Sequence, residues 1–218
     1  MASIDPGLEP VHAEKLAPIT PGPLAPPGPT TEPFFARLRR ALGEEVRSLN
    51  FRLLIAGWLV ALLPSLTFSR VRTLVYRLAG LQIGPCSLIL GRIEFSGSGP
   101  LQKRLRIGAH TIINAHFFVD LNGPIDIGDW VSIGHHVTLI TADHDQGPAY
   151  CRAGPMRSSS ISIGDGSWIG AGSTLLPGAS IGKSTIVSAG SVVSGKVPDN
   201  RMVGGVPARA LKALPTEP

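Results

Sequence analysis

The chain has 218 residues, enough for one or two domains with a sizeable core, and its 26 glycines and 20 prolines would suit a low-complexity polymer. Against that, 43% of residues are hydrophobic and the aliphatic ones recur regularly, which excludes disorder over most of the length. Two cysteines, Cys86 and Cys151, cannot by themselves build a disulfide framework or a thiolate zinc site and fit a reducing compartment, while a net charge of +5 leaves anionic ligands open.

Residues 1–33 carry dense punctuation, as in Pro21-Gly22-Pro23 and Pro26-Pro27-Gly28-Pro29, without a periodic apolar face. They predict a disordered or extended tail. No signal peptide is expected, because the start lacks a basic region and the first long apolar run begins only at Leu53. From Phe34 to Leu49, Phe35, Leu38, Leu42, Val46 and Leu49 recur every three or four residues, which predicts a helix. Leu53–Ser69 is an uncharged run interrupted by Pro64, at the short limit for a membrane span. Ser69 then reads as the cap of a second amphipathic helix with Val71, Leu74, Val75 and Leu78 on its apolar face and Gly80 as its stop.

Arginines 37, 39, 40, 47, 52, 70, 72 and 77 stand against only Glu44 and Glu45, so this segment carries +6 and the rest of the chain is near neutral. Without a recognition motif or basic-aromatic surface, nucleic acid is not expected as a partner. Residues 34–82 can pack as a cap over the end of the following domain, or lie in the plane of a membrane with Trp58 at the interface and arginines at the headgroups. The two roles are compatible, and a true span is the least favoured reading.

From Ile83 the sequence repeats every six residues. The block from Ile163 runs Ile163-Gly-Asp-Gly-Ser-Trp, Ile169-Gly-Ala-Gly-Ser-Thr, Leu175, Ile181, Val187 and Val193, with an aliphatic first position and Ser, Ala or Thr at the fifth. Ile127 and Ile133 match it. An earlier frame runs through Ile83, Ile89, Phe95, Leu101, Ile107, Ile113 and Val119, offset by two residues around Gly123-Pro124. A period of six means one short strand and one turn, and three such units close a triangular coil of 18 residues. The first residue points inward, the small fifth fits the tight interior, and glycine allows the turns. Residues 83–214 therefore form an all-β solenoid, a parallel β-helix of about six coils, stable only by stacking.

These hexapeptides resemble the left-handed β-helix of the hexapeptide-repeat acyltransferases, and Asn114–Arg209 is similar to the galactoside and maltose O-acetyltransferases and to enzymes that acetylate bacterial polysaccharides. The repeat stops at Leu139-Ile-Thr-Ala-Asp-His144-Asp145 and resumes at Ile163, so the residues between should leave the helix as a loop.

The resemblance implies that His144 is the general base that takes a proton from an acceptor hydroxyl, which then attacks the thioester carbonyl of acetyl-CoA or another acyl-CoA. It further implies that Asn114 binds the acceptor, that Trp168 walls the pocket, and that the Ala171 N–H donates to the oxyanion. By the same resemblance Ala189 and Ser194 line the pantetheine arm, and Arg209 and Lys212 lie near the coenzyme phosphates.

Two positions depart from the family pattern. Asn122 stands where the family has an acceptor-binding aspartate, with Asp120 two residues away, and Ser194-Gly195-Lys196 replaces a Thr-Lys-Asp. The implied partners are a sugar, glycolipid or polysaccharide acceptor and two further copies of the chain in a homotrimer, in the cytoplasm or on the cytoplasmic face of its membrane, with no metal. His135 and His136, at positions three and four of their hexapeptide, are expected to face outward at the surface or a subunit interface. A zinc enzyme like the γ-class carbonic anhydrases and a non-enzymatic scaffold are the rival readings. The histidine pair five residues apart that the zinc family carries is missing, since His110 and His116 are six apart.

Overall fold

The structure, a computed structural model, describes residues 33–39, 43 and 50–216. The expected N-terminal tail falls outside these apart from Pro33. Of the helix expected over 34–49, residues 34–39 and 43 are helical and the remainder lies outside the described residues.

From Gln82 onward the chain is a parallel β-helix with three faces. The first face stacks six strands from Gln82–Ile83 to Lys196–Val197. The second stacks strands from Leu88–Ile89 to Arg201–Gly205 and closes on the antiparallel tail Ala208–Ala213. The third holds Ile93–Ser96, Phe117–Asp120, Thr138–Leu139, Thr174–Leu175 and Val192–Val193. The first positions of the repeat form the core: Ile107, Ile127, Ile163, Ile181 and Val197 on the first face are each no more than 3% exposed.

The coils are not uniform. Along the first face Ile83 pairs with Ile107, Ile107 with Ile127, Ile127 with Ile163, Ile163 with Ile181 and Ile181 with Val197. Only the step from Ile163 to Ile181 has the expected 18 residues. The first coil is longer because Leu101–Lys103 forms a 3-10 turn, so Leu101 is buried at a corner and is not a strand position. The second gains two residues at Gly123-Pro124, the offset visible in the sequence. The third carries the insertion after Leu139. That insertion is not an irregular loop. Ala142–Gln146 and Ala153–Ser158 pair as an antiparallel hairpin, and regular coiling resumes at Ile161, which pairs with Ile125, two residues ahead of Ile163.

Glycine at the second position serves close approach, not turn conformation. A Cβ on Gly170 would lie 2.4 Å from Ala189 N, and one on Gly164 2.6 Å from Lys183 N. The turn conformation belongs to the fourth position, where Cys86, His110, Trp130, Ser184 and Asn200 all have φ between 51° and 59° and Gly166 has 70°. Where the fifth position is small and hydroxylated, the hydroxyl has a further role. Ser167 Oγ donates to Gly182 O at 2.7 Å and accepts from Thr185 N at 3.1 Å. Thr111 Oγ1 does the same with Gly128 O and Val131 N, at 2.9 and 3.1 Å. These hydroxyls bridge successive coils where the strand ladder is interrupted, so buried backbone groups keep their partners.

The two helices before the first coil meet its open edge. Within the stack, strand N–H and C=O groups face a neighbouring coil on both sides; the first coil lacks one. Helix Ser69–Leu78 supplies the missing partners: Arg72 Nη1 donates to Ile89 O and Leu90 O at 3.1 Å, Thr73 Oγ1 accepts from Ile89 N at 3.1 Å, and Tyr76 Oη accepts from Ile93 N at 2.9 Å. Burial lowers the Arg72 pKa and raises that of Tyr76. The expected orientation of this helix is therefore reversed. Arg72, Thr73 and Tyr76 face inward, while Val71, Leu74 and Leu78 are exposed and Val75 is half-buried. Ser69 is not its cap; Phe68 holds that position with a left-handed backbone and no capping side chain. Gly80, at φ 101°, does stop it. Helix Phe51–Ala61 is capped by Asn50, whose side chain accepts from Leu53 N at 3.3 Å.

Two glycines separate close approach from backbone conformation. Gly170→Ala should lower stability by roughly 3 kcal/mol or more, because its Cβ meets the backbone of the next coil. Gly190→Ala, at φ 69° with open space around its Cβ, should cost only about 1–2 kcal/mol of left-handed strain. Thermal unfolding of both variants measures the difference.

Candidate active site

His144 lies in the first strand of the hairpin, opposite Met156. Its Nδ1 is 2.8 Å from the carbonyl oxygen of Gly154. A carbonyl can only accept, so Nδ1 carries the proton and the neutral ring holds its lone pair on Nε2. The side chain is exposed, with Nε2 the atom left to act on a ligand. Its backbone N–H donates to Asp143 Oδ1 at 2.7 Å, and Asp145 forms an ion pair with Arg157 across the hairpin. The two aspartates flanking His144 thus brace the hairpin.

The hairpin is rooted by a residue that motif matching passes over. Asp120 ends a third-face strand and is 5% exposed. Its Oδ2 accepts from Thr141 N at 3.1 Å and Ala142 N at 2.8 Å, where the chain leaves the helix two residues before His144. Its Oδ1 accepts from Asn122 N and Nδ2, at 3.2 and 2.6 Å. A buried carboxylate with backbone donors on both oxygens fixes the hairpin exit. Asn122 therefore spends its amide on Asp120, as part of this brace. The sequence signal was an acidic residue at an otherwise inward-packed strand end.

The remaining expected residues collect on the second face and the corner that follows it. Trp168 stands outward on that face, 55% exposed. Its cross-strand row runs from Ser132 through Trp168, Ile186 and Met202 to Lys212. Trp168 and Lys212 are three strands apart in this row, about 14 Å at ordinary strand spacing. Arg209 pairs with Gly204 in the same tail, and both basic residues are exposed.

Ala171 and Ala189 occupy the third position of their hexapeptides in successive coils, on the corner after the second face. On the preceding corner the equivalent N–H groups are taken by aspartates: Ala109 N by Asp129, Asp129 N by Asp165, and Lys183 N by Asp199. Lys183 also pairs with Asp165 at 3.0 Å, holding that carboxyl below the usual range. Above Ala171 the next coil offers Ala189, which has no side-chain acceptor. The Ala171 N–H thus meets no carboxylate of the next coil, unlike its counterparts on the preceding corner.

Asn114 stands on this corner too, half-buried, with Nδ2 donating to Ile133 O at 3.0 Å, a contact within the coil stack. Ser194 is exposed on the other corner, after the third face, where the His144 hairpin also departs. One chain thus groups Trp168, Ala171, Ala189, Arg209, Lys212 and Asn114 around one corner, and His144, Asp120, Asn122 and Ser194 around the next. The third face lies between.

His135 and His136 are exposed, as expected, and His136 stacks on His116 with ring centroids 4.4 Å apart. His110 stacks on Trp130, at 4.0 Å, on a different corner. Among the described residues no three His, Cys, Asp or Glu side chains cluster to hold a metal ion.

Known proteins share this architecture. A family model described as bacterial transferase hexapeptide (six repeats) matches residues 160–195. A Schizosaccharomyces pombe protein named as an acetyltransferase is 36% identical over 153 residues, covering 62% of this chain and 73% of that relative. The galactoside O-acetyltransferase of Lactococcus lactis is 37% identical over 112 residues, covering 51% of this chain and 54% of that enzyme, so the match spans about half the relative's length. A hexapeptide-repeat-containing acetyltransferase from Vibrio cholerae superposes with a TM-score of 0.67 at 31% identity, over 79% of this chain and 92% of that one. The same Vibrio protein has been solved in complex with acetyl coenzyme A. The fold is the left-handed β-helix of these proteins.

Asp120→Ala should free the hairpin exit. Losing the carboxylate leaves the Thr141 and Ala142 amides unsatisfied, at a cost of about 2–4 kcal/mol. Amide hydrogen exchange should accelerate at those two residues while the core strands stay protected, and unchanged exchange there would remove Asp120 from this role.

Proposed function

The chain belongs to the hexapeptide-repeat acetyltransferases, and we propose that it moves an acetyl group from acetyl-CoA to a hydroxyl of a sugar or glycan. The observation that carries this reading is the 2.8 Å contact from His144 Nδ1 to Gly154 O, because it leaves Nε2 as an acceptor for the hydroxyl proton. As the proton passes to Nε2, the acceptor oxygen attacks the thioester carbonyl. Negative charge then develops on the carbonyl oxygen, where the Ala171 N–H donates to it. Collapse of the adduct breaks the carbon–sulfur bond, and the imidazolium returns its proton to the departing thiolate.

Trp168 offers an apolar wall for the acyl and acceptor groups, and Asn114 a nearby amide for the acceptor. Ala189, together with Ser194, flanks the path of the pantetheine arm, and Arg209 and Lys212 meet its phosphates as exposed cations. Sugar acceptors are supported by the galactoside O-acetyltransferase relative. The use of acetyl-CoA points to the cytoplasm, in keeping with two cysteines that are both free thiols.

Because His144 and Ser194 sit on one corner of the helix and Ala171, Ala189, Arg209 and Lys212 around another, the reading includes a homotrimer. His144 of one copy would then face Ala171 and Trp168 of its neighbour, each site being completed across an interface.

Coenzyme A release from acetyl-CoA, assayed against a panel of sugars, glycolipids and polysaccharide fragments, tests the reaction. His144→Ala should lower turnover by roughly two to four orders of magnitude with the circular dichroism spectrum unchanged. A variant that keeps most of the activity contradicts the assignment. Light scattering should give three times the 22.9 kDa chain mass, and an active monomer would refute the shared site.

A further inference from the structure

Because the helix Ser69–Leu78 turns its polar side to the first coil, its apolar side is left outward, with Leu74 52% and Leu78 75% exposed. Helix Phe51–Ala61 is apolar on both sides. It buries Leu53, Ala56, Gly57 and Val60, yet on the opposite stripe Ile55 is 59% and Trp58 73% exposed, followed by Leu62 at 81%. A helix apolar all round is one that something covers on every side. The two helices pack against each other, so their outward faces supply an apolar surface far richer than isolated exposed residues would give.

The charge around this surface selects its occupant. From Val46 to Ile93 the sequence holds no aspartate or glutamate and six arginines. Arg72 is committed to the first coil and Arg77 to the carbonyls of Ile83 and Gly84. Arg52 and Arg70, exposed, border the apolar stripes directly. A second copy laid face to face would bring arginines against arginines, with no carboxylate in either segment to meet them. An anionic lipid surface meets both features at once: headgroups for the arginines, hydrocarbon for the leucines.

The geometry also fixes the mode of contact. Among the described residues no helix is long and apolar enough to cross a membrane. Helix Phe51–Ala61 has 11 residues, about 16 Å, roughly half the thickness of a bilayer core. We propose that this face docks in the plane of an anionic phospholipid surface, with Trp58 at the boundary between headgroups and acyl chains. The docking face is separate from the acyl-transfer site and stands or fails without it.

The full-length protein should co-sediment with phosphatidylcholine vesicles containing phosphatidylglycerol at least about tenfold better than with phosphatidylcholine alone, and added salt should weaken binding. Ile55→Glu/Trp58→Glu/Leu74→Glu should abolish sedimentation without altering the melting transition or the mass of the assembly. Arg52→Gln/Arg70→Gln, which leaves the apolar face intact, should reduce the preference for the anionic vesicles several-fold. Equal binding to both vesicles, binding to neither, or sedimentation unaffected by both variants would overturn the proposal. So would a triple variant with reduced assembly mass, since that result makes the face a contact between copies of the chain.

Discussion

Coils stacked at strand spacing leave no room at their corners, and most of the sequence rules in this protein follow from that. Strand ladders set successive coils about 4.8 Å apart. Where the backbone turns within that spacing at a glycine in the second position, as at Gly170 and Gly182, a Cβ would collide with the coil above. The turn itself falls on the fourth position, in the left-handed region, which costs non-glycine residues energy and is nonetheless accepted at His110, Trp130 and Asn200. At fifth positions such as Thr111 and Ser167 a small inward residue carries a hydroxyl that replaces hydrogen bonds the turning backbone gives up. Aliphatic first positions then fill what space remains.

The same constraint explains both ends of the stack. A coil without a neighbour presents unpaired backbone groups, and an open edge of this kind must be covered. At the C-terminal end the antiparallel strand Ala208–Ala213 covers the edge of the second face. At the N-terminal end side chains do so, with Arg72, Thr73 and Tyr76 standing in for a missing coil. The proposed chemistry lies where the repeat is relaxed. The hairpin that carries His144 interrupts the third face, Asp120 secures its departure, and alanines replace the aspartates that elsewhere occupy corner N–H groups.

Much of this was legible in the sequence because a six-residue period has few physical explanations. The inward aliphatic positions, the two-residue offset at Gly123-Pro124 and the break before His144 follow directly from spacing. The orientation of helix Ser69–Leu78 does not. Hydropathy assigns the inward side to Val71, Leu74 and Leu78, and cannot register that the surface below is a row of unpaired backbone groups demanding donors and acceptors. The hairpin escaped for a related reason: Ala142–Gln146 is polar and aspartate-rich, a poor strand by composition, and is held by pairing with Ala153–Ser158 and by Asp120. The resemblance puts Asn122 at an acceptor-binding position, and the hydrogen bond from its amide to the buried Asp120 carboxylate is a contact that spacing alone does not reveal.

The account of the site turns on which nitrogen of His144 carries the proton. Nitrogen-15 NMR of the histidine-labelled protein, with His144 assigned by comparison with His144→Ala, reads the tautomer of the neutral ring directly. Protonation at Nδ1, held by Gly154, leaves Nε2 able to accept the hydroxyl proton and is the result the account predicts. A neutral ring protonated at Nε2 would have no basic nitrogen facing an acceptor, and would contradict His144 as the general base.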